Sequence, residues 1–575
     1  MDNDSQGSHS TTVSSGTPAS VPDKDKRVYM SMWALAMLNV ANMAGIGNDV
    51  QMAFYGLSSV TYYVVGAIVF FIPTALVAAE LATGWPQRGG IFRWVGEGIG
   101  RGWAFFCIFL LWFQNALNMA GAPASGAATI MFFTPNYNFA VKFAENPYAY
   151  VGQSGVFWIS MGWLAFYWIL AILSTYGIKV LAKVASWGVI VGTIFPLAFM
   201  MIFVIVWLAQ GNKCAISFNP KGLVPQYQGL STLALAASVF FSYAGVDFNA
   251  AYIKNLKNAK REFPLAMLIA MILSMAIFIF GTLVIAIMVP EGQINVLYSL
   301  TTVMKELGAT IGIPWIYVVL AWTGIPLTIA STITSYDAPS IMLGQAGGSG
   351  FLPKWLQGTN KHGMPARLVY FQTFLMTVLS FFFMLIPNIE AFIIMLTQAL
   401  TVLYLLYYVL MFIAYIRLKY QQPNRPRSFV IPGGRVGAWI TVIVGIAASL
   451  FGIVMSVWPP AQVSQEVGSP QIYVWSIIGI TLGTLGIAFG IYWASRRQGR
   501  KWVNPNNKFA PFTWEIEGMH KPGCALSDIP TEVISYGQDP MGMPIKKPFA
   551  PDAKLADVPQ AIIKATQAQA QAGKD

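Results

Sequence analysis

Apolar blocks of 18 residues or more recur from one end of this chain to the other, and no soluble core could absorb them. About twelve approach the roughly 20 residues that carry a helix across a bilayer. They run over 29–54, 58–83, 102–132, 154–175, 183–209, 229–253, 264–289, 313–343, 368–386, 388–416, 437–458 and 472–495. The fold this predicts is an all-α polytopic membrane protein. Its first partner is the lipid bilayer.

Charge supports that reading. Only 10% of the 575 residues are charged, against 56% hydrophobic, and the net charge of +12 is spread over short loops between the apolar blocks. A nucleic-acid partner would call for one basic face or tract, so none is expected. Topology explains the excess instead: loops predicted to be cytosolic hold residues such as Arg88, Arg93, Lys183, Lys260, Arg261, Arg367, Arg417 and Arg427, while the opposite loops hold little beyond Lys142, Lys213, Lys221 and Lys305. A bias of roughly five to one puts both termini in the cytosol of a cell with an inner membrane.

Cys107, Cys214 and Cys524 fall in a membrane segment, an outer loop and the tail, and His9, His362 and His520 are far apart. Such spacing suggests no disulfide framework, no metal site and no catalytic constellation. No cofactor and no enzymatic activity are expected. Residues 1–28 read as a disordered cytosolic N-terminus and 496–575 as a cytosolic tail. Gly84 to Gly90 ends the second span and opens an amphipathic inner loop with Trp94, expected to lie on the membrane surface.

Two spans are filled wrongly for ordinary membrane helices. The first carries Asn42-Met43-Ala44-Gly45-Ile46-Gly47-Asn48-Asp49, and the sixth carries Phe241-Ser242-Tyr243-Ala244-Gly245-Val246-Asp247. Backbone groups freed by such breaks are tolerated at membrane depth only where they line a polar cavity or bind something. A single glycine would read as a packing contact. Two breaks five spans apart, each with an aspartate, point to a transport site at the interface of two inverted five-helix repeats. The repeats predict a core over 29–416, with the last two spans, 417–495, outside it.

Half-helix N–H groups would take a substrate carboxylate, and loose carbonyls with a carboxylate would take its ammonium. Asp49 and Asp247 are candidates by cost alone, the other reading being that each reaches water near a helix end. Gln114, Asn115 and Asn118 either complete the pocket or bond between helices. Thr328 and Thr332, with Ser331, Thr334 and Ser335, either face the site or bond their own backbone. Tyr404 and Tyr408 share one helix face, as an aromatic gate or a packed stripe.

Further motifs carry a resemblance. Pro73 through Ala79-Glu80-Leu81-Ala82-Thr83, the Phe-Ser-Tyr-x-Gly-x-acid break, Ala259-Lys260-Arg261-Glu262-Phe263-Pro264 and Phe429-Val430-Ile431-Pro432-Gly433-Gly434 together resemble the amino acid–polyamine–organocation transporters. Over about residues 28–495 the chain looks most like their bacterial glutamate/γ-aminobutyrate antiporter branch. The resemblance implies a 5+5 inverted-repeat, leucine-transporter-like fold, an alternating-access cycle and a small amino acid or amine as substrate. It also implies that Ala44, Gly45, Ile46 and Gly47, with Ser242, Tyr243 and Gly245, hold the substrate's carboxylate and amino groups. In that branch the C-terminal tail can plug the cytoplasmic vestibule, which makes residues 496–575 a candidate autoregulatory segment.

Departures from the branch redirect specificity. Asp247 stands where the glutamate antiporters carry a glutamate, their span 1 Tyr-Glu pair is replaced near Gly47-Asn48, and their span 8 Glu and Trp fall on Thr328 and Thr332. Two acids and no Lys or Arg near the breaks favour a neutral or cationic substrate over glutamate. Exchange is the expected activity. Ion-coupled symport and amino acid sensing are the alternatives.

Overall fold

The computed structural model describes residues 30–43, 50–85, 89–225, 227, 229–245, 247, 256–348, 350–384, 388–423, 425, 427, 429–460, 470–502 and 512. Within them the chain is helical, the one bridge pairing Met30 with Leu256. In order, the helices are α1 (Met32–Met43), α2 (Val50–Ala53), α3 (Ser59–Gly66), α4 (Ile72–Gly84), α5 (Ile91–Ile99), α6 (Arg101–Thr129) and α7 (Tyr137–Glu145). Then come α8 (Pro147–Ser174), α9 (Ile178–Val189), α10 (Phe195–Ala209), α11 (Leu230–Ala234), α12 (Ser238–Ser242), α13 (Ala259–Met288) and α14 (Ser299–Thr310). The last five are α15 (Ile316–Gly348), α16 (Ala366–Phe383), α17 (Ile389–Gln421), α18 (Gly434–Val457) and α19 (Pro470–Gln498).

Ten helical stretches among the described residues are long and apolar enough to cross a membrane. Two shorter apolar helices, Met32–Ala41 and Leu230–Ser242, fall in the two spans whose middles carry glycine and aspartate. The residues after the first break pack on the sixth span: Tyr55 donates its hydroxyl to Thr232 O at 2.6 Å, and Ser238 Oγ meets Met52 Sδ at 3.6 Å. Met52 and Tyr55, after the first break, and the opening of the sixth span are therefore neighbours in space, although 177 residues separate Tyr55 from Thr232.

Two spans contain a π turn, Ala67–Phe71 before α4 and Ile190–Ile194 before α10. Each is followed at once by a proline at the head of the next helix, Pro73 or Pro196. Proline lacks the donor a continuing α-helix needs and crowds the preceding turn, and one extra residue in that turn relieves both.

Glycines set the closest seams. A Cβ on Gly188 of α9 would meet Pro326 O of α15 at 2.5 Å, and one on Gly192 would meet Thr323 O at 2.7 Å, so backbone lies on backbone there. Gly188→Val should lower the melting temperature in detergent, with overpacking costing about 1–3 kcal/mol. Gly324→Ala on the same seam's partner helix, where a Cβ meets nothing within 4 Å, should not. Equal melting of the two variants would refute the contact.

The structure corrects one expectation. α5 does not lie on an open membrane surface: Ile91 through Gly98 are all buried. The helix packs against α6 and α17, Arg93 and Glu97 close an ion pair at 2.6 Å with both side chains fully covered, and the Arg93 guanidinium lies 5.1 Å from the centre of the Phe512 ring. Its amphipathic pattern signalled a polar contact inside the protein, which composition cannot distinguish from a headgroup contact.

The end of the bundle at α5 carries Arg93, Lys419, Arg425 and Arg427, and on this basic face Glu80, at the end of α4, is completely buried. Its Oε1 takes Lys419 Nζ at 2.7 Å and an Arg427 N–H, while Oε2 takes the Tyr415 hydroxyl at 2.8 Å and the Ile431 N–H at 2.9 Å. The Ile431 amide reaches it because the following Gly433 and Gly434 turn the chain through positive φ (84° and 61°) into α18. Beside this knot Arg425 donates to Gly84 O at 2.6 Å and lies over the Trp85 ring. Burial pulls its guanidinium down to about 9, against the opposing pull of Glu97.

Candidate functional site

The sixth span stops being helical inside its apolar stretch. α12 ends at Ser242, Tyr243 and Ala244 turn, and Gly245 takes φ 97°, a conformation that glycine adopts without strain. The Gly245 N–H points at the α17 side and donates to Tyr408 Oη at 2.9 Å; that hydroxyl in turn donates to Asp247 Oδ1 at 2.7 Å. One phenol thus holds both the unwound backbone and the carboxylate. Asp247 is 1% exposed, and its second oxygen, Oδ2, has no hydrogen-bond donor among the described residues.

Aromatic rings wall this relay. Phe70, from the π turn, meets Tyr408 edge-on at 5.3 Å and Phe240 at 5.2 Å. Tyr404 stacks on Tyr408 at 6.0 Å and meets Phe241 at 5.6 Å. Among the described residues no Lys or Arg acts on Asp247. Such a carboxylate, desolvated and holding one orphan oxygen, suits an ammonium or a proton.

The other expected residues divide. Ala44, Gly45, Ile46, Gly47 and Asp49 lie outside the described residues. Ser242 returns its hydroxyl to Ser238 O, and Tyr243 turns from the relay to donate to Tyr63 O at 2.9 Å and stack on Phe71. Gln114 is buried with Oε1 lacking a donor among the described residues, and Asn115 bonds Leu111 O of its own helix. Thr328 returns its hydroxyl to Gly324 O, and Thr332 lies beside Tyr167 of α8. Neither threonine has a hydrogen bond to α12 among the described residues.

Two amides escaped the sequence reading. Gln51, two residues after Asp49, donates to Thr397 Oγ1 at 3.3 Å, and Gln398 of α17 is fully buried with neither its Oε1 nor its Nε2 paired among the described residues. The signal that singled out Gln114, an amide inside an apolar block, was available for both. A cavity of about 1110 Å³ lies elsewhere, on the face opposite the basic one, lined in part by Glu145, Tyr148, Tyr298 and Glu390. There burial, then the hydrogen bond to Glu145, holds the Tyr298 phenol above its ordinary range.

The amino acid permease family profile matches residues 30–482, and the chain belongs to that family. It is 30% identical to an uncharacterized transporter of Legionella pneumophila over 76% of this chain and 90% of that protein. It is also 30% identical to a glutamate/γ-aminobutyrate antiporter of Lactococcus lactis, over 71% of this chain and 80% of the other. The inner membrane transporter YjeM of Escherichia coli is 25% identical over 80% and 95% respectively. These relatives are transporters and not enzymes. The chain is likewise a multi-pass membrane protein of the bacterial inner-membrane type.

Proposed function

We propose that this permease exchanges one small amino acid or amine for another by alternating access around the two interrupted spans. The observation that carries the reading is the relay Gly245–Tyr408–Asp247, a carboxylate at a helix break with one oxygen that no described residue bonds and no described cation beside it. A substrate ammonium completes that oxygen. The loose backbone of both breaks, Gly45 to Gly47 and Ser242 to Gly245, receives the α-carboxylate and amino group, in the manner of paired discontinuous helices at the centre of inverted repeats. Asp49, Gln114, Thr328 and Thr332 complete the proposed set, and Tyr404 stands with Tyr408 as the gate.

The named activity of the Lactococcus lactis relative supports exchange as the mode. The uncompensated acid supports neutral or cationic substrates over glutamate, because a second carboxylate facing Asp247 would add repulsion in a low-dielectric site. In proteoliposomes, counterflow of one exchanged label should be competed more strongly by neutral and cationic amino acids or amines than by glutamate. Preferred competition by glutamate would overturn the assignment.

A further inference from the structure

α15 carries a carboxylate that the site above does not use. Asp337 is completely buried, and among the described residues the one group in position to donate to it is the Ser174 hydroxyl. It lies roughly 30 Å along its helix, toward the basic face.

Its polar neighbour is Ser174, the last residue of α8, whose hydroxyl is donated to Ala171 O at 3.0 Å. A helix C-terminus offers carbonyl oxygens and the negative end of a dipole. Those groups can accept a hydrogen bond from a carboxylic acid, but they can donate none to a carboxylate.

No charged side chain offsets this among the described residues. α1 and α8 contain none, α15 has none but Asp337, and α6 and α16 contribute only Arg101 and Arg367 in their first turns. Arg367 donates to Trp355 O, and Lys354, in the turn Lys354–Gln357 that packs on α15, is exposed. On α9, Lys183 is exposed, and the side chain of Lys179 is not among those described. Arg93 and Glu97 of α5 pair with each other, as do Lys305 and Glu306 of α14. Of the nearby phenols, Tyr336 is directed at Met376 Sδ and Tyr167 lies beside Thr332.

The helix is loosened at the same point. Pro339 cannot bond Ser335 O, and Gln372 Nε2 of α16 takes that carbonyl at 3.4 Å, its own Oε1 accepting from Ser340 at 3.0 Å. A side-chain amide has replaced a helical bond, so α15 can bend there.

We propose that Asp337 is a proton-binding site of the transport cycle. Buried as here it holds a proton as a carboxylic acid; when α15 bends to admit water from the basic face, the O–H bond breaks, the proton passes to water and a carboxylate remains. The proposal rests on the transport reading above and goes beyond it by adding a proton that moves with the exchanged substrate.

The test uses the full-length protein in proteoliposomes with labelled leucine, γ-aminobutyrate, agmatine and glutamate. Wild type should accumulate its label under an imposed pH gradient. Asp337→Asn, neutral at every pH, should lose that accumulation and exchange with a flat pH profile, whereas Asp337→Glu should stay coupled with a displaced pH midpoint. Gradient-driven accumulation and a wild-type pH profile in Asp337→Asn would overturn the proposal. So would a response to sodium instead of pH, or the same loss in Lys179→Gln, which would make Asp337 an ion-pair partner.

A wild type that exchanges none of the four labels would count against the transport reading instead. The infrared carboxylic-acid band, wild type minus Asp337→Asn, would still read the side chain: its presence supports a bound proton, and its absence overturns it.

Discussion

Asp247→Asn and Tyr408→Phe should each slow exchange in proteoliposomes by about ten- to a hundred-fold, the factor that a charge-assisted hydrogen bond of ~1.5–3 kcal/mol represents. Tyr408→Phe removes one oxygen and keeps the ring contacts to Phe70 and Tyr404, so its effect reads the relay and not the packing. Because the phenol joins Gly245 N–H to Asp247 Oδ1, the double variant should be scarcely slower than the worse single one. Tyr408→Phe exchanging at the wild-type rate would remove the relay from the mechanism. Additive losses would mean that the two side chains act separately.

The largest effect on stability is expected at Glu80. Glu80→Ala leaves Lys419 and Arg427 with no carboxylate in a site where their side chains are 10% and 4% exposed, and strands the Ile431 amide. Breaking a buried pair from one side costs roughly 3–5 kcal/mol, because the remaining charge stays desolvated. Fluorescence-detected size exclusion after heating should show Glu80→Ala losing its monodisperse peak well below wild type. Glu80→Gln, which keeps an acceptor for the amide and for one cation, should fall between them. An alanine variant as heat-resistant as wild type would mean that water replaces the carboxylate.

The all-helical, membrane-crossing character of the fold was legible because it depends on one local property, the length of each apolar block. The positions of Asp247, Tyr404 and Tyr408 were legible as oddities of their own spans. Their meeting was not, since Tyr408 and Asp247 are 161 residues apart and no local pattern encodes a contact of that range. α5 was misread for a related reason: an amphipathic nine-residue helix needs something to cover it, and the sequence does not say whether that is lipid or protein. Glu80 stood in a motif, yet its four partners come from α17 and the turn before α18. Gln51 and Gln398, amides inside apolar blocks, carry the same local signal as Gln114.

The π turn at Ala67–Phe71 bears on how this span can be read at all. One surplus residue advances everything after it by about 100° around the axis, so a helical wheel drawn straight from residue 59 to 84 misassigns the faces of its second half. Phe70 and Glu80 serve different neighbours, the relay and the basic knot, across that phase step. The span is therefore two helices of different phase in series, and its two ends can be matched to separate surroundings without changing its length in the bilayer.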